Sequence, residues 1–411
     1  MNEAERAAQL QKSFVQSHLA MTQGLANWPA AVPIRAQINE FIPTLCKLPY
    51  DYLFRDDPQA MTECSLLAWE YTGVDQIVGN LDMYNFELQS LGAKLLFTAD
   101  KLPELDRSTP LISGPDDLDK IGFSGLQSGR YPYLIEYTRA YTNLTGLDSF
   151  PSICAPWSLA CGLVGFDKLL VAALRNPEFV HQLLSRLVDQ LLGPLLRALN
   201  AELPGLTTVN CTDAWFNPPL VSLDTLEEYE EYVYRIPAAA GLDVPLTVTG
   251  IWGYSYLKGL DLERLMALAT RLSSSLTVFD PDVSNIGPEP FRGYADRYGL
   301  PLTLGLDSTL LEAGSIEEIV RRIKHYVLVG KKGLTPMTFF FNNINPQTPL
   351  MNIQAAVAAV RIYGAPQATA ETPFVMPEQE SFADFLQQKI SHNPEGYDFN
   401  WLPKSGYAYL A

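Results

Sequence analysis

The sequence predicts an α/β protein: a single (β/α)₈ TIM-type barrel with an N-terminal helical cap and a C-terminal extension. Three observations predict it. From Val74 onward, short β-branched or apolar runs alternate with helix-patterned segments; the runs number eight, enough to close a sheet; and no GxGxxG or Walker loop follows the first run, as an open doubly wound sheet would usually show.

The runs are Val74–Val78, Lys94–Thr98, Ser152–Ala155, Leu206–Cys211, Leu246–Ile251, Leu276–Asp280, Leu302–Leu306 and Thr338–Phe341. Between them, Asn176–Glu202 carries apolar residues at three and four spacing, Ile316–Val329 opens on a capping box of Ser315 and Glu318, and Asn352–Tyr363 is alanine-rich. Residues 1–70 read as a helical cap packed on the barrel, 71–364 as the barrel, and 365–411, rich in Pro, Gly and aromatics, as a lid or an arm of a homodimer.

Composition narrows the function classes. Over 411 residues, 47% are apolar and 18% charged, and no run approaches the length of a membrane span. A net charge of −17 argues against binding a phosphate backbone. Met1–Gln23 reads as a helix of mixed charge without the marks of a secretory signal, so a cytoplasmic location is expected. The five cysteines (Cys46, Cys64, Cys154, Cys161, Cys211) are widely spaced and without CxxC, which fits reduced, buried thiols.

In a TIM-type barrel the working residues project from the C-terminal ends of strands. Those ends carry Asp82, Asn85 and Glu87; Asn210, Cys211 and Asp213; Asp280 and Asp282; Asp307; and Asn342 with Asn343. Each acid could equally cap the following helix. Carboxylates in a half-apolar cavity can have separated pKa values, one staying protonated as a general acid. Trp157, Trp215, Phe216, Trp252, Tyr254, Tyr256 and Phe339–Phe341 crowd the same ends and would wall a flat ligand if they are not barrel packing. Of the histidines, His18, His181 and His325 lie in helical patterns, and His392 lies in the tail, which could bring it to the mouth.

These strand ends also carry a family pattern. Val74-Asp75, Asp82, Glu87 and Leu91-Gly92-Ala93-Lys94 resemble the "vDa…D…EaealGa" segment of the uroporphyrinogen decarboxylase superfamily, and Cys154–Ala160, Gly165 and Asn176-Pro177-Glu178 resemble its "GPfslA…G…dPe" segment. Gly305-Leu306-Asp307, Ile316–Ile319 and Thr348–Ile353 resemble its later turn and helix starts, so the similarity spans roughly residues 50 to 364 in the correct order.

Departures select a branch. The decarboxylases open with Arg-Gln-Ala-Gly-Arg-Tyr, whose arginines hold porphyrin carboxylates; here that region offers only Arg55, and Gly129-Arg130-Tyr131-Pro132 comes too late in the chain. The thiol methyltransferases of the superfamily bind zinc through His-x-Cys and a later Cys. Gly250 and Trp252 occupy the first two places, and Pro336–Phe339 lacks the third.

The resemblance then implies a methyltransferase that takes a methyl group from a small donor, such as a methoxylated aromatic, and gives it to the Co(I) of a corrinoid (cobalamin) on a partner protein. Asp82, Asp213, Asp280 or Asp307 would polarise or protonate the departing oxygen, while Asn85, Glu87, Asn210, Trp252, Tyr254 and Asn342 would line the substrate site. The corrinoid would arrive on another protein, because the chain has no Asp-x-His-x-x-Gly. The alternatives are a non-porphyrin decarboxylase or lyase, a non-catalytic tetrapyrrole binder, and a thiol methyltransferase with atypical metal ligands. For the last, Glu87, Cys154, Cys211, Asp280 and His392 are the available donors, in no spacing that supports a set of three.

Overall fold

A computed structural model describes residues 31–77, 81–82, 85–108, 110–203, 205–392 and 396–406. The helix expected over Met1–Gln23, with His18, lies outside them. Its strands are β1 (Ile34–Ala36), β2 (Gln76–Ile77), β3 (Leu95–Leu96), β4 (Glu104–Leu105), β5 (Ile153–Cys154), β6 (Val209–Thr212), β7 (Leu246–Thr249), β8 (Leu276–Phe279), β9 (Leu302–Asp307) and β10 (Met337–Asn342).

Two parallel sheets carry the fold: a five-stranded one in the order β2-β1-β10-β9-β8 and a three-stranded one in the order β5-β6-β7. Side chains of β1, β6, β7, β8, β9 and β10 line one cavity, so both sheets surround a common axis in the circular order of a barrel. Among the described residues the backbone ladder nevertheless opens at two seams, β2/β5 and β7/β8. The expectation of a closed barrel is corrected to a mixed α/β fold around a parallel sheet that pairing does not close. β2 and β5 have two residues each, and β7 runs into Gly250 at φ 90°, so neither seam offers two long facing edges.

Two expected elements change. Lys94–Thr98 is not a barrel strand; Leu95 and Leu96 pair antiparallel with Glu104 and Leu105 in a partly exposed hairpin. The remaining barrel position belongs to β1, inside the segment read as helical cap, where Ile34–Ala36 pair in parallel with both β10 and β2. A three-residue strand with a central arginine has too little apolar pattern to announce itself.

The longer strands follow from alternation. In β9, Leu302, Leu304 and Leu306 are buried against the outer layer while Thr303 lines the lumen; in β10, Met337, Phe339 and Phe341 are buried outward while Phe340 and Asn342 face the lumen. Outside the sheet, Ile316–Gly330 opens on the expected capping box. The expected Asn176–Glu202 helix runs as Pro177–Arg186, a π-helical stretch Leu187–Leu192 and Gly193–Glu202. Pro194 lacks the amide that would continue the regular ladder. No single helix among the described residues is long and apolar enough to cross a membrane.

The tail docks on the outer helix Pro58–Thr72, which Asp57 caps and Gly73 ends at φ 72°. Tyr71 packs on Phe382 and Phe385, and Lys389 pairs with Glu70. Buried Glu63 accepts from the backbone N–H of Asp398 and Phe399 and from Trp401 Nε1, at 3.0 to 3.2 Å. Glu63→Ala leaves these three donors unpaired and should cost about 1–3 kcal/mol for each that stays dry. The expected outcome is a lower denaturation midpoint together with faster proteolysis of the tail than of the barrel.

Candidate active site

Two cavities open among the C-terminal ends of the strands, and Gln37, just past β1, lines both. The first, of about 580 Å³, is bounded by Glu40, Asp82, Asn85, Ser158, Phe166 and Trp215. The second, of about 400 Å³, occupies the lumen and is bounded by Arg35, Thr249, Trp252, Phe279, Asp280 and Asn342. No residue beyond Asn343 lines either, so the described part of the tail is not a lid over them, and His392 is an exposed residue whose Nδ1 bonds Gln388 O.

Most of the expected acids are already occupied. Asp82 faces the first cavity but accepts from Arg130 and Asn85. Arg130 is fixed in turn by Gln89 Oε1 and Phe54 O and lies over the rings of Phe86 (4.6 Å) and Phe97 (4.9 Å). Burial raises the Asp82 pKa against the pull of Arg130. Buried Glu87 accepts from the backbone N–H of Cys154 at 2.8 Å, across the β2/β5 seam.

On the opposite side, Asp282 accepts from Gly253 N and Ser255 N, both at 2.7 Å, and ties the β7/β8 seam. Asp280 lines the lumen, yet Arg322 Nη1 (2.8 Å) and Tyr326 Oη (2.5 Å) hold it from the outer layer. Asp307 takes the helix-capping role, accepting from Leu310 N at 3.0 Å.

Asp213 differs. It is fully buried at the end of β6, and Ser158 donates to its Oδ1 from N (3.1 Å) and from Oγ (2.5 Å). Its Oδ2 has no partner among the described residues. Burial outweighs the Ser158 bonds and pushes the carboxyl up to about 7. Ser158 also lines the first cavity, so its hydroxyl connects Asp213 to the space where a ligand would sit.

Of the remaining candidates, Asn85 lines the first cavity, and Trp252 and Asn342 line the second. Asn343, at φ 62°, donates to Glu40 Oε1 at 2.8 Å. Tyr254 is fully buried, its hydroxyl unpaired, and lines neither cavity; nor does Asn210. All five cysteines are buried, and burial pushes the thiols of Cys154 and Cys211 well up. His181 bonds Tyr232 and Glu228, and His325 bonds Glu289. No group of three or more His, Cys, Asp or Glu among the described residues could hold a metal ion, so the residues present do not fit the superfamily's thiol-activating zinc.

Arg35, Gln37, Ser158 and Arg130 are site residues that sequence reasoning passed over. Two of them left a signal: Arg130 in Gly129-Arg130-Tyr131-Pro132 and Ser158 within Cys154–Ala160.

Comparison with known proteins accords with this geometry. Residues 53–233 match the family Uroporphyrinogen decarboxylase (URO-D), a segment that contains Asp82, Arg130, Ser158 and Asp213. That segment, less than half of the chain, is similar to the uroporphyrinogen decarboxylase family. Among solved structures, its fold is similar to that of a methyltransferase from Methanosarcina mazei, with a TM-score of 0.61 and 17% identity over 82% of this chain and 97% of that one. No curated protein matches the sequence. The matched segment thus contains Asp82 of the first cavity and Asp213 behind Ser158, while Glu40, Arg35 and Asp280 lie outside it.

Asp213 gives stability a pH dependence with a definite sign. A carboxyl raised from 3.8 to about 7 on folding leaves stability intact below about pH 4 and removes it as pH rises to about 7. Relative to Asp213→Asn, the wild type should lose stability on the order of 4 kcal/mol between pH 4 and pH 8, measured by denaturant unfolding of both proteins across that range. A constant difference would mean that Asp213 ionises normally.

Proposed function

We propose that this chain is a methyltransferase that moves a methyl group from a small methoxylated aromatic to the Co(I) corrinoid of a partner protein. The observation that carries the reading is Asp213: a carboxyl with a pKa near 7, linked by Ser158 to a cavity at the barrel mouth. Support also comes from the fold shared with a protein described as a methyltransferase and from a strand end where Gly250 and Trp252 leave no soft metal site for a thiol acceptor.

The corrinoid is the acceptor substrate, brought by another protein, and supplies the nucleophile. This chain's work is to hold the aryl ether, exclude water and deliver a proton. Phe166 and Trp215, with ring centroids 5.4 Å apart, form an aromatic wall of the first cavity. As the methyl carbon bonds to the nucleophile, the carbon–oxygen electron pair leaves with the aryl oxygen. Ser158 Oγ–H donates to that oxygen while protonated Asp213 donates to Ser158 Oγ; the product is a neutral phenol, and Asp213 is left ionised. Arg130 and Asn85 keep Asp82 fixed beside the same cavity as a wall rather than a proton donor.

The test mixes the purified protein with a reduced Co(I) corrinoid protein and a panel of methoxylated aromatics and methylamines, following the methyl–Co(III) absorbance band. The band should grow with the aromatic ethers, and Asp213→Asn should slow it about 10²- to 10⁴-fold. Where proton delivery limits the rate, transfer should fall about tenfold per pH unit above 7. No transfer from any donor, with carbon dioxide released from a carboxylated substrate, would replace this reading with a decarboxylase.

A further inference from the structure

Among the described residues, the lumen holds a cation without a counter-charge. Arg35 lies in the middle of β1, where Ile34 and Ala36 on either side are fully buried toward the outer layer, and its own side chain lines the lumen cavity. It makes no ion pair or side-chain hydrogen bond with any described residue, and its Nε is buried without a partner. Guanidinium stays protonated in proteins, and this one, partly buried and with no acceptor for its Nε among the described residues, carries an unmet charge into the lumen. The acid nearest in function, Asp280 of the same cavity, is already committed to Arg322 and Tyr326.

Strand register shows what surrounds it. Arg35 pairs in register with Phe340, Phe340 with Gly305, and Gly305 with Phe279, so one level of the barrel holds a cation, two rings and a position without a side chain. A Cβ at Gly305 would stand 2.4 Å from Phe340 O and 3.1 Å from Phe279 Cβ, so that position cannot be filled without displacing the wall. Thr277, Thr303 and Asn342 complete a lining of neutral polar residues, while the Thr249 hydroxyl bonds Cys211 O and Thr212.

We infer that the lumen cavity binds a ligand carboxylate on a single flat ring, the carboxylate pairing with Arg35 and the ring lying against Phe279, Phe340 and Trp252. One planar guanidinium matches one carboxylate by two parallel hydrogen bonds, and the Thr277 and Thr303 hydroxyls serve its remaining lone pairs. A volume of about 400 Å³ suits a one-ring compound and is small for a tetrapyrrole. The inference does not rest on the methyl-transfer reading, which places the reacting ether oxygen at Ser158 in the first cavity; the carboxylate site in the lumen stands without it.

Calorimetric titration of the full chain, with no corrinoid protein present, compares 4-methoxybenzoate and benzoate with their neutral amides. The wild type should bind the acids about ten- to a hundredfold more tightly than the amides. Arg35→Gln should bring that ratio near one and leave amide binding unchanged. Unliganded Arg35→Gln should melt no lower than the wild type, since it loses a partly buried charge with no ion-pair partner among the described residues, and benzoate should raise the melting temperature of the wild type alone. Equal affinity of the wild type for acid and amide, a measurement that needs no variant, overturns the inference; so does full retention of 4-methoxybenzoate binding by Arg35→Gln. An intact acid preference without methyl transfer would overturn the proposed function and leave this site standing.

Discussion

Where two neighbouring strands fail to pair, their edge N–H groups still require acceptors, because a dry, orphaned amide costs as much as a lost hydrogen bond. This fold meets that constraint with carboxylates. Glu87 takes the amide of Cys154 at one open seam, and Asp282 takes those of Gly253 and Ser255 at the other. Each acid stands on the segment following one strand and reaches a neighbour across the open seam: Glu87 an amide of β5 itself, Asp282 two amides in the loop past β7. The strand ends are therefore rich in acids for a structural reason before any catalytic one.

That constraint explains which parts of the sequence could be read. β9 and β10 are long enough for alternation to be plain, with Leu302, Leu304 and Leu306 or Met337, Phe339 and Phe341 on one side, and the Ser315/Glu318 capping box fixes a helix start by local chemistry alone. β1 was illegible because three residues with arginine at the centre carry no period. The run Lys94–Thr98 has the right residue types, but its strand pairs only with β4 in a separate hairpin. Among the site residues, a pattern can place Asp307, Asp280 and Asp213 at strand ends but cannot tell a helix cap, an ion pair and a free acid apart, since the difference lies in Leu310 N, Arg322 and Ser158, all brought in by folding.

Sorting acids by partner leaves a simple electrostatic division. Asp82, Asp280, Asp282, Asp307 and Glu87 each accept from fixed donors, so their positions are set by packing. Asp213 alone among these strand-end acids combines an unpartnered oxygen with a pKa near neutrality. The chain as a whole is acidic, at −17, yet the lumen side of the same mouth presents an arginine with no ion-pair partner among the described residues. Long-range charge therefore disfavours anionic ligands on approach, while the interior favours them once they are in place. Salt should ease entry by screening the first effect, and it acts less on the second because a partly buried pair is screened less than exposed charges.

Two unmet valences of opposite kind thus face the two cavities that Gln37 joins: an oxygen that can give or take a proton beside Ser158, and a cation in the lumen. Neither is explained by stability, since an uncharged residue at either place would fold at lower cost. A ligand with a negative group at one end and a reacting oxygen toward the other would satisfy both. Anchoring it through the group remote from the chemistry uses binding energy to orient the reacting bond, the arrangement in which a distant contact raises turnover rather than affinity alone.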